Sequence, residues 1–175
     1  MADQQQSKGS PTKTILTAWL IAGTLDICGA MLWSYIAKLA NHTGNPNPLD
    51  VLFGIGKMVM GNKLTTPGVL DNYSLVCIGL IVHYAIAFVW TMIYFWAWPK
   101  IKFLQGQLVI AGLCYGIFVW AVMTFGVVPL RLMMWPTYIP KNLWIGCGII
   151  MLALGLPISF IIGNYYSKKA SQTNI

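Results

Sequence analysis

Long apolar stretches separated by short polar ones dominate this chain. Four of them cover residues 14–37, 73–98, 107–129 and 143–166. About 20 residues of helix cross a hydrocarbon core roughly 30 Å thick. The pattern therefore predicts an all-α, polytopic membrane protein with four transmembrane helices. Polar tails, residues 1–13 and 167–175, flank one domain over 14–166 and leave no room for a second. The first stretch is longer than the apolar region of a cleaved leader. It carries Asp26 and has no clean small-x-small site after it, so a retained helix is expected.

Residues 38–72 form the one long connection, and they carry a pattern of their own. Asn47, Pro48 and Asp50 resemble a helix start: a capping Asn, Pro at the first position, an acid in the first turn. A mostly apolar run follows up to Met60, and Gly61-Asn62 reads as a stop. The expectation is a short interfacial helix over 48–60, lying on or dipping into the membrane surface. Gly54, Gly56 and Gly61 weaken it, and a re-entrant hairpin is the alternative. In the fourth span Pro157 predicts a kink unless neighbours satisfy the freed carbonyl.

Composition agrees: 57% of residues are hydrophobic and 9% charged, against about 25% charged in a soluble domain. The net charge of +7 reflects scarce acids, four Asp and no Glu, while the basic residues are scattered. No clustered basic face exists for nucleic acid, so none is expected as a partner. The lipid bilayer is the partner expected. Loop charges set Lys8, Lys13, Lys100, Lys102, Lys168 and Lys169 against Lys38, Lys57, Lys63, Arg131 and Lys141. The second set contains Lys57 and Lys63, which lie away from helix ends, so both termini are expected in the cytoplasm.

Small residues favour helix contacts in lipid. The packing candidates are Gly23 and Gly29 in the first span, Gly112 and Gly116 in the third, and Gly155, Ser159 and Gly163 in the fourth. Asp26 shares a face with Ala22, Gly23, Gly29, Ala30 and Trp33, and His83 shares one with Gly79, Ala87 and Trp90. Asp26 and His83 are the acid and the histidine that fall inside spans. Measured from Lys13 and Trp98, both lie about 20 Å along their helices, at matching depth. Ionisable groups in lipid are costly and need a partner or a use. On antiparallel neighbours the two come within hydrogen-bond range and share a proton, a proton or ion site. The plainer alternative is a packing lock that never titrates. Thr24, Thr91, Trp120 and Thr124 are further polar candidates near that depth, each also readable as ordinary packing.

Other chemistries find less. No Ser-His-Asp arrangement is visible, and no enzyme is expected. His42 is in a loop, so a bis-histidine haem lacks its second ligand, and zinc needs more ligands than Asp26 and His83 supply. No cofactor or metal is expected, and a redox subunit is the least favoured class. Cys28, Cys77, Cys114 and Cys147 read as small buried hydrophobes, with a Cys77–Cys147 bridge left open. Asn41-His42-Thr43 and Asn72-Tyr73-Ser74 match the glycosylation pattern, which three residues satisfy easily.

The run His83-Tyr84-Ala85-Ile86-Ala87-Phe88, Tyr94, Pro99-Lys100-Ile101-Lys102, Gln105-Gly106, Ala111-Gly112, Pro129-Leu130 and Gly155-Leu156-Pro157-Ile158 resembles the YagU-like bacterial inner-membrane family. The resemblance covers about residues 15–165, diffusely. It implies a small multi-pass protein of the bacterial inner membrane with a link to acid tolerance and envelope homeostasis. It also implies a further histidine in the fourth span, where this chain has Ile150. An accessory or scaffolding subunit, in a homo-oligomer or larger membrane complex, is the rival reading.

Overall fold

Ser10-Pro11 opens the first helix in extended backbone, with proline at the position where a missing N–H costs nothing. In the computed structural model, which describes residues 10–42, 44–61, 71–127 and 141–173, that helix is α1, Pro11–Asn41. It ends when His42 turns left-handed (φ 52°) and its N–H caps the Lys38 carbonyl. There follow α2 (Asp50–Met60), α3 (Asn72–Ala97), the short α4 (Lys102–Gly106) and α5 (Leu108–Val122). A π-helical turn, Met123–Val127, extends α5. After it come α6 (Lys141–Ile149), a second π-helical segment (Ile150–Gly155) and α7 (Leu156–Thr173). No strand occurs among the described residues.

Four stretches are long and apolar enough to span a membrane: Pro11–Asn41, Asn72–Ala97, Leu108–Val127 and Leu143–Gln172. α1 begins before the predicted start and ends after the predicted end. α7 continues through most of the stretch expected as a tail. Helices overrun their apolar runs here because Lys and Ser interrupt hydropathy without interrupting helix propensity. Leu32, Ile81, Val89, Phe118 and Leu152 are exposed, as residues facing lipid acyl chains are. Arg131, Trp135, Tyr138 and Lys63 lie outside the described residues.

Backbone-to-backbone contacts hold the bundle. A side chain at Gly112 or Gly155 would run into the other glycine's backbone, and Gly116 stands against Met151. Gly23 abuts Tyr84 and Ala87, Gly29 abuts Ile149, and Gly163 abuts Leu108 and Trp98. All the predicted small-residue positions are thus contacts, and Ser159 is fully buried. Around them lies one core that includes Ala18, Ala22, Tyr94, Tyr115, Ile158 and Ile162.

Pro157 does not break the fourth span. The π-helical segment ends with the Leu156 N–H on the Met151 carbonyl, five residues back. The wide turn takes up the register before the proline begins α7. The expected short helix is α2, which lies lengthwise against α3. Gly56 and Gly79 each present the other helix with bare backbone. Asn47, Leu49 and Phe53 border a recess with Asn72, Tyr73 and Val76, while Met58 meets the same cavity as His83. α2 therefore runs beside α3 in the same direction.

Asp71 caps α3, its Oδ1 accepting from the Ser74 N–H at 3.0 Å. The Ser74 hydroxyl, and after it this backbone bond, favours the carboxylate and holds the Asp71 pKa below its ordinary value. A depressed acid stabilises the fold above its unfolded pKa and loses that contribution as pH falls through the folded one. Thermal melts of Asp71→Ala should therefore lie below wild type at neutral pH and converge with it in strong acid.

Candidate functional site

α1 and α3 run antiparallel and meet at Gly23. Three side-chain hydrogen bonds tie them there. Trp19 donates its indole N–H to the Tyr84 carbonyl at 2.8 Å. The Thr24 and Tyr84 hydroxyls are 2.8 Å apart. His83 Nε2 lies 2.9 Å from the Gly23 carbonyl. A carbonyl only accepts, so Nε2 carries the proton and the neutral ring keeps Nδ1 as its acceptor. Trp19 packs edge-on against Tyr84 and Phe88.

One turn beyond Gly23, Asp26 stands half-buried at the junction of two cavities. The inner cavity, about 370 Å³, is lined by Asp26, His83, Asp50 and an apolar wall including Ile86, Trp90 and Leu154. The outer one, about 410 Å³, follows one face of α1 from Asp26 past Ala30, Ser34 and Ala37 to Lys38. Val51 and Ile150 border both. At the seam Lys38 forms an ion pair with Asp50, each about one-third exposed. The π-helical turns contribute Met123, Ile150 and Leu154 to the inner wall. Their wider winding turns side chains away from the register a continuous α-helix would give, which leaves room for a void.

The expectation of a direct Asp26–His83 hydrogen bond is corrected. His83 uses Nε2 on the backbone of α1, and no hydrogen bond to Asp26 is present. Both side chains line one cavity. Of the further polar candidates, Thr24 bonds Tyr84, and Thr91 bonds its own helix at Ala87. Trp120 is buried, its N–H without a partner among the described residues, and stacked 5.4 Å from Trp144. Thr124 lies in the π-helical turn. None of the four lines either cavity. The cysteines are unbridged; Cys28, Cys77 and Cys114 are exposed, so only Cys147 is a buried hydrophobe.

Two features escaped the sequence. The Lys38–Asp50 pair joins a helix end to a helix start across an irregular loop, with no periodic signal. A polar thread also crosses the core. Tyr94 donates to Ser159 at 2.8 Å and Ser159 to the Leu108 carbonyl at 2.7 Å, while Tyr115 donates to the Trp90 carbonyl at 2.6 Å. Tyrosines inside an apolar run are its trace in the sequence, since a buried hydroxyl needs a partner.

Compared with known proteins, the chain matches no family model, no curated protein and no solved structure.

Proposed function

We propose that this integral membrane protein carries a proton-responsive site at Asp26 and His83. One observation carries the reading: a carboxyl and an imidazole, both inside spans, line the same partly open cavity. An imidazole suits a charge change near neutral pH, and a carboxyl beside it makes the two protonations interdependent. With Nε2 held by Gly23, the second proton enters at Nδ1, and the ring charges without giving up its helix contact. The outer cavity gives Asp26 a route toward Lys38. The resemblance to the YagU-like family supports a bacterial inner membrane and a link to acid tolerance, and the loop charges support termini in the cytoplasm.

The test is proton flux in liposomes carrying a trapped pH dye. Wild type should conduct protons in a pH-dependent way. His83→Gln, which keeps a donor for the Gly23 carbonyl, should lose the pH dependence. Flux equal to protein-free liposomes at every pH, or an unaltered profile in the variant, would remove the proposal.

A further inference from the structure

The inner cavity has the size and lining of a small-molecule site. Such sites occupy about 300–1,000 Å³, mostly apolar, with a few polar groups that fix orientation. This one holds about 370 Å³ between α2, α3, α5 and the second π-helical segment. Its polar groups do not balance. Asp50 is matched by Lys38. His83 spends Nε2 on Gly23. Asp26 accepts no hydrogen bond from any described residue, yet it faces both cavities. One carboxylate is left over beside an oily wall that includes the aromatic surface of Trp90.

We infer that the inner cavity binds a lipophilic ammonium compound. Its charged nitrogen sits on the Asp26 carboxylate and its hydrocarbon body lies against Ile86, Trp90, Val119 and Leu154. An anion would meet the uncompensated Asp26 carboxylate. A neutral amphiphile would leave Asp26 uncompensated. A small inorganic cation would leave the apolar wall unused. Proton and amine then compete for one carboxylate. The inference deepens the proton-responsive reading and rests on the same residue, but the two fail separately. Amine binding without proton flux would remove only the functional reading, and flux without amine binding only this one.

Calorimetry on the full-length protein in nanodiscs tests it, using 1-aminoadamantane and its neutral counterpart 1-adamantanol. Wild type should bind the amine saturably and roughly tenfold or more tighter than the alcohol. Asp26→Asn should lose that preference while eluting and folding like wild type. Ile86→Phe, which fills the cavity and leaves the carboxylate alone, should weaken amine binding. Equal affinity for amine and alcohol, equal amine affinity in wild type and Asp26→Asn, or no saturable amine binding would each overturn the inference. If Asp26→Asn does not fold, the amine–alcohol comparison in wild type and the Ile86→Phe variant decide.

Discussion

Gly155→Leu is expected to yield almost no folded protein. A leucine there would drive its Cβ into the Gly112 carbonyl, with the Gly112 carbonyl carbon and the Gly116 nitrogen both about 3.1 Å away. These are backbone atoms of α5 and cannot swing aside. Overpacking a close contact costs about 3 kcal/mol at the upper end of its usual range, a large share of total stability. Alanine should do the same damage to a lesser degree, since the clash begins at Cβ. Gly148→Ala is the matched control: nothing lies within 4 Å of a Cβ there. It should change stability by less than about 0.5 kcal/mol. Recovery of monodisperse protein from membranes, followed by unfolding in mixed micelles, measures all three. Equal recovery of Gly155→Leu and Gly148→Ala would mean that α5 and the second π-helical segment do not meet as described.

Asp26→Asn is expected to remove the proton response and spare the fold. The amide matches the carboxyl in shape, and Asp26 has no hydrogen bond to lose. What disappears is the group that exchanges a proton inside the cavity. A positioned proton-transfer group is worth about a hundredfold in rate, so flux should drop by that order or reach the protein-free level. Asp50→Asn should do much less. It breaks a partly exposed ion pair with Lys38, and such pairs contribute about 1 kcal/mol at most. Dye-loaded liposomes compare the two variants directly. Similar losses in both would shift the role from Asp26 to the acidic character of the cavity as a whole.

The spans and their contact faces were readable because a bilayer imposes a simple pattern. Lipid demands long apolar runs, and close packing demands small residues. Gly112, Gly116 and Gly155 meet just where their spacing put them. Helix rise put Asp26 and His83 at similar distances along their spans, and both border the inner cavity. Direction around the axis was harder. His83 satisfied itself on the Gly23 carbonyl, a backbone acceptor that has no signature in sequence. Thr24, Thr91 and Trp120 sat at the right depth but turned toward Tyr84, their own helix or Trp144. Gly56 argued against a helix by propensity, yet it is what lets α2 touch α3. Tertiary packing overrode the local preference, as it often does. The π-helical turns that shape the inner cavity came from registers no hydropathy pattern specifies.

The most direct measurement is the titration of the Asp26 carboxyl carbon by ¹³C NMR in nanodiscs, in wild type and in His83→Gln. If imidazole and carboxyl share one cavity and sense each other's charge, removing the imidazole should move the Asp26 midpoint. A single curve, indifferent to what occupies position 83, would contradict the account.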